Sequence, residues 1–362
     1  MKFLRLAFYV LIAQLVLSCC AVEAVEETSS SSSSEINFDA YWGRNASTRA
    51  GVTDIDFLKG KEWNSGFGVF ARYKHTDGTI SPLMLMNKEH VYWKNWKGDY
   101  SDWGYENTRY WPNEGTVDFY AFAPYSDQPK LVSPPNKNEA NPTCIFFPSN
   151  VSPVDLVWAN AKDQTKTEEP VKFTFKHALA RLGFDITANQ ILEKNGAVIK
   201  VKEVKLYGAD EISGVFVMAG YLNLENGAWT LADNGISWFY TWTPDGTVDG
   251  KKFDNSIIYK LSAPPQLDHE HDKVTNHDDS YIFIIPQKKP DYFNLKITYT
   301  VVQGNFKEDV TVTKNLLEVP GVSDPSFTFE GGKAYVFHLK LSLDPINFNV
   351  TNDVEPWKGG ER

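Results

Sequence analysis

The side chains best suited to chemistry lie in the run DHEHDKVTNHDD, residues 268–279. His269 and His271 would face the same way on a strand. His277, Asp278 and Asp279 could complete a set of imidazole and carboxylate ligands of the kind zinc takes. The run follows Pro264-Pro265 and precedes an apolar segment, so it reads as a solvated loop, and neither a metal nor another cofactor is expected. A second cluster is aromatic. Tyr92, Trp93, Trp96 and Trp103 crowd a polar stretch rich in Gly and Asp. Exposed rings there could stack on sugar faces, or the same rings could cap the end of a β-sandwich core. A glycosidase would need two carboxylates about 5 to 10 Å apart, and the acidic residues are too evenly spread to single out a pair. The chain has no G-x-S-x-G, H-E-x-x-H, P-loop or C-x-x-C signature. It reads as non-catalytic.

Three cysteines are present. Cys144, beside Ile145-Phe146-Phe147, reads as a small buried apolar residue, since one remaining thiol cannot build an internal disulfide. Cys19 and Cys20 close a leader with a basic start, Lys2 and Arg5, and an apolar stretch at 6–17. That stretch is too short for a spanning helix of about 20 residues. Val16-Leu17-Ser18-Cys19 resembles a bacterial lipobox, in which Cys19 would become the new N-terminus and carry lipid; Cys20 is the alternative. Each buried methylene contributes about 0.8 kcal/mol, so several acyl chains on one cysteine would anchor firmly. Residues 21–35, with Glu23, Glu26, Glu27 and six serines, cannot bury a core and read as a disordered tether. Arg44 and Arg49 lie in the turn-rich segment YWGRNASTRAGVTD, a place that proteases reach.

The elements that would position these groups are strands. Residues 171–187, VKFTFKHALARLGFDIT, set the pattern. Val171, Phe173 and Phe175 alternate with Lys172, Thr174 and Lys176, a period of two. After His177 the phase flips to Ala178, Ala180, Leu182, Phe184 and Ile186. One extra residue moves every later side chain to the other face, so a bulge or short break is expected near 176–177, within one long sheet-forming segment. A helix through 176–182 is the competing local reading. Order is expected from Ile36, where Ile36, Phe38 and Ala40 alternate with Asn37 and Asp39. Further strands are read at 67–73, 116–125, 155–162, 196–206, 213–224, 229–231, 236–242, 281–285, 293–302, 310–316 and 333–343. Residues 99–110 read as turn-rich. A boundary between two domains, 36–190 and 191–362, is placed near 188–195.

Length and composition agree. With 362 residues the chain can hold two ordinary domains, and Phe, Tyr, Val, Ile and Thr segments punctuated by Gly, Pro, Asn and Asp make an all-β composition. The formal charge is −10, or −12 once Lys2 and Arg5 leave with the leader. An acidic chain without a basic stripe argues against nucleic acid.

Four ordered stretches resemble the fimbrillin-like lipoproteins, subunits of the type V pili of Gram-negative anaerobes. They are YWP at 110–112 with VDFYAFAPY at 117–125; DLVWANAKDQTKTEEPVKFTFKHALARLGF at 155–184; YIFIIPQ at 281–287; and AYVFHLKLSLDPINFNVTNDVEPW at 334–357. Ser47-Thr48-Arg49-Ala50 is similar to the family's T-R-A segment after its first strand. The resemblance implies two tandem transthyretin-like Greek-key β-sandwich domains behind a signal peptide (1–18) and a Ser-rich linker (19–35). It implies export to the outer membrane through the N-terminal lipid, surface exposure in a fimbrium, and a structural or adhesive role towards a host or bacterial surface ligand. In polymerising members an Arg-specific protease removes the first strand, and a neighbouring subunit's strand fills the groove. Here the removed strand would lie within 36–41, with the cut after Arg49 or, alternatively, Arg44. Anchor and tip subunits depart from this scheme. A surface lipoprotein that binds glycans through Trp93, Trp96 and Trp103 is the alternative reading.

Overall fold

The computed structural model describes residues 34–42, 53, 55–61, 65–96, 100–126, 130–132, 143–147, 155–188, 198–232, 237–238, 240–242, 282–341 and 349–356. The first half contains β1 (Phe38–Trp42), the four-residue helix α1 (Ile55–Leu58), β2 (Phe67–Lys74), β3 (Ile80–Trp96), β4 (Tyr100–Gly104), β5 (Thr116–Ala123), β6 (Leu131–Val132), β7 (Cys144–Phe147), β8 (Val157–Gln164), β9 (Val171–His177) and β10 (Ala180–Ala188). The second half adds β11 (Val198–Tyr207), β12 (Phe216–Val217), β13 (Gly220–Asn223), β14 (Trp229–Leu231), β15 (Ser237–Trp238), β16 (Tyr240–Trp242), β17 (Ile282–Ile284), β18 (Gln287–Lys288), β19 (Asn294–Gln303), β20 (Phe306–Asn315), β21 (Thr328–Phe329), β22 (Lys333–Leu341) and β23 (Asn349–Pro356). The all-β expectation holds, and the helix considered at 176–182 is absent.

A seven-stranded sheet runs β1-β9-β8-β5-β2-β3-β4. β2 and β5, in the interior of the sheet, are buried on both faces over most of their length, which explains why β2 shows no clean alternation. Phe67, Val69 and Ala71 face one core together with Phe119 and Phe173. Phe70 and Phe122 face a second core, closed by Ile145 and Phe147 of β7 and Leu222 of β13. Gly68 permits this double packing: a β-carbon there would stand 2.4 Å from the Phe122 ring. Cys144 is buried in β7, as a small apolar residue would be.

The expected phase flip follows His177, and the break lies at Ala178-Leu179, just past the expected 176–177, where the Ala178 N–H donates to the Leu156 carbonyl at 2.8 Å. It is not a bulge within one sheet. β9 stays in the seven-stranded sheet, whereas β10 runs parallel to β22 and antiparallel to β17. Ala180, Leu182, Phe184 and Ile186 enter a separate core with Leu295, Tyr299 and Phe337. The chain therefore changes sheets at 178–179. β3 and β4, which fill much of the stretch between 80 and 104, escaped the sequence reading.

Candidate functional site

The first strand sits in a groove that the rest of the first core builds. Ile36, Phe38 and Ala40 are buried, while Tyr41 is 43% exposed. β1 runs parallel to β9 at the end of the sheet, with Phe38 opposite Val171 and Trp42 opposite Phe175. The Val171 N–H donates to the Asn37 carbonyl at 2.8 Å. On the other flank the Ile36 N–H donates to the Arg109 carbonyl at 2.8 Å, and the Trp111 N–H to the Ser34 carbonyl at 3.1 Å. The Tyr105 hydroxyl donates to the Ile36 carbonyl at 2.7 Å and accepts the Arg109 N–H at 3.1 Å. Burial pushes the Tyr105 hydroxyl pKa up, which keeps it a donor; the accepted Arg109 N–H acts the other way.

The groove is aromatic. The Phe38 ring stacks on Phe173 at 5.6 Å and meets Phe119 edge-on at 5.6 Å and Tyr105 at 5.7 Å. Burying Ile36 and Phe38 contributes roughly 2 kcal/mol each. An empty groove would expose those partners together with the unpaired backbone of β9.

A polar node lies where β8 begins, β9 ends and the chain re-enters after the arginine-bearing connection. The Thr53 N–H donates to Asp155 Oδ2 at 2.8 Å, and its hydroxyl donates to the Asp155 carbonyl at 2.6 Å. Asp155 Oδ1 lies 2.9 Å from His177 Nδ1. Thr53 and Asp155 are both buried. Asp155 and His177 fall within the single stretch 155–184 that resembles the fimbrillin-like proteins, and local sequence gives neither a role. Their partners are 102 and 22 residues away, beyond any local pattern.

Trp93 and Trp103 pack against each other rather than standing apart as an open platform. Trp93 and Trp103 are cross-strand partners on β3 and β4, with rings 5.1 Å apart and edge-on. Trp103 is 5% exposed and packs against Phe67 at 5.1 Å. The Lys59 ammonium stands 4.1 Å over the Trp93 ring. Trp96 ends β3 opposite Tyr100. Sugar stacking on Trp103 is thus corrected to core packing, because its neighbours cover the ring. Cys19, Cys20, Arg44, Arg49 and the 268–279 run lie outside the described residues. Among the described residues no group of three His, Cys, Asp or Glu could hold a metal ion.

Comparison with known proteins gives a consistent result. A family model described as fimbrillin-like matches residues 48–357. Fimbrium subunit Fim1C of Phocaeicola vulgatus is 25% identical over 391 aligned positions, covering 95% of this chain and 94% of that protein. The crystal structure of a fimbrial protein from Bacteroides vulgatus superposes with a TM-score of 0.57 at 20% identity, over 90% of this chain and 99% of that one. That likeness bears on the fold.

Proposed function

The chain belongs to the fimbrillin-like family, and on that premise we propose that it is a non-catalytic structural and adhesive subunit of cell-surface fimbriae, exported as an outer-membrane lipoprotein and assembled by strand exchange. The observation that carries this reading is the first strand: three buried side chains in an aromatic groove at a sheet end, followed within the next eleven residues by Arg44 and Arg49. A cut after Arg49, or after Arg44, separates that strand from the body. The vacated groove then offers β9 an unsatisfied edge and apolar pockets of alternate spacing, the two features β-strand addition requires. A neighbouring subunit supplies the replacement strand.

The relative from Phocaeicola vulgatus, named a fimbrium subunit, aligns with this chain over nearly its whole length, which supports the same role here. Lipid on Cys19, or on Cys20, would hold the subunit at the outer membrane, and the mass of the mature N-terminal peptide tests that step. Immunogold electron microscopy of purified surface appendages tests the function. Label along or at the end of filaments is expected. Label confined to membrane without filaments, in cells that assemble them, would refute it.

A further inference from the structure

The segment in the groove runs Ile36-Asn37-Phe38 into β1, and the chain spells a near copy, Ile55-Asp56-Phe57, in α1. Ile36 and Phe38 are buried in the first core. Ile55 and Phe57 pack half-buried against that same core, and α1 lies beside β1. A segment with the groove's own I-x-F spacing is therefore stored next to the groove, in helical rather than extended form.

Only two residues before it stands Thr53, held by two hydrogen bonds to Asp155, which in turn meets His177. We propose that the Thr53–Asp155–His177 node is a positioning clasp that keeps Ile55-Asp56-Phe57 out of the groove, so that a strand from a second copy can enter once the first strand is gone. This rests on the strand-exchange reading above and adds a self-competitor together with the residues that restrain it.

Tethering makes the restraint necessary. A segment linked by a short flexible stretch acts at an effective concentration on the order of 1 mM. If it bound the empty groove with a Kd near 100 µM, it would weaken an outside strand about tenfold. The clasp removes this competition because Thr53 is fixed through both its main chain and its side chain. The Asp155 carboxylate holding it is oriented from the other side by His177, and this fixes the start of the peptide that leads into α1.

The test uses the protein cut by an Arg-specific protease, the cut position being read by mass. Binding of a labelled peptide with the sequence of residues 34–42 is followed by fluorescence anisotropy. Thr53→Val should be cut as the wild type is but bind the peptide about tenfold more weakly. Thr53→Ser, which keeps both hydrogen bonds, should bind like the wild type. Adding Phe57→Ser to Thr53→Val should restore binding by disabling the competitor. Equal binding by Thr53→Val and wild type overturns the clasp. So does a loss that Phe57→Ser leaves unrepaired, because Thr53 would then be a fold determinant only. If cut wild-type protein neither releases its strand nor binds the peptide, strand exchange itself fails, and the clasp with it.

Discussion

Asp155 Oδ1 and His177 Nδ1 lie 2.9 Å apart, with side chains 0% and 8% exposed, at the point where the chain leaves one sheet for another. The same carboxylate takes the Thr53 N–H on its other oxygen. One acidic group thus ties the chain that follows the arginine-bearing connection to the end of the strand that pairs with β1. A buried carboxylate so engaged is costly to lose, because its partners are then left without an acceptor away from water.

Asp155→Ala should destabilise the uncut protein by about 3 kcal/mol, read as a shift in urea midpoint at unchanged slope. Lys314→Ala, which removes the exposed pair with Glu318, should change it by less than about 0.5 kcal/mol. Equal effects would show that the node contributes no more than a surface ion pair.

Phe38→Ala should cost about 3 to 4 kcal/mol, since it removes a ring packed on Phe173, Phe119 and Tyr105. Tyr41→Ala on the exposed face of the same strand should stay within about 0.5 kcal/mol. Amide exchange in β9 should quicken for Phe38→Ala alone. Similar protection in both variants would mean that the groove does not depend on the first strand's buried face.

Trp103→Ala should lower stability by about 3 kcal/mol, as expected for an aromatic ring lost from a core. Calorimetric melting checks this. A melting point equal to the wild type, with selective loss of glycan binding, would reinstate Trp103 as a surface contact.

Tyr335 supplies a pH prediction. Its hydroxyl accepts the Glu330 N–H at 2.7 Å and donates to the Thr328 carbonyl at 3.1 Å. Burial raises its pKa to about 12. A pKa raised in the folded state gives stability that is complete below the unfolded value of about 10. That stability is lost as pH climbs from there through about 12. Tyr335→Phe should therefore flatten the fall in stability over that window, measured by denaturant unfolding at successive pH values. An unchanged slope would mean that Tyr335 titrates as an exposed phenol.

Much of the fold could be read from the sequence where one strand face is wet. Val171 to Phe175 alternate because Lys172, Thr174 and Lys176 meet solvent. The flip after His177 was visible too. Its meaning was not, because a bulge and a change of sheet leave the same local trace. β3 was hidden: Pro82 falls within it, Lys88 takes a φ of 57°, and its register against β2 shifts repeatedly, so no steady period survives. Trp93 and Trp103 looked like exposed rings in a polar context, yet each is covered by the other and by Lys59 or Phe67, contacts fixed only by tertiary pairing. Of the groove, the first strand's apolar face could be read. Its receptors, Tyr105, Phe119 and Phe173, come from three separate segments whose convergence is set by sheet order.

The most direct test of the central claim, that the first strand is a replaceable occupant of its groove, is native mass spectrometry after Arg-specific cleavage. The expected result is loss of the peptide ending at Arg49, or at Arg44, and the appearance of oligomers joined without new covalent bonds. Cleaved protein that retains its first strand, stays monomeric and keeps the amide protection of β9 unchanged would contradict it.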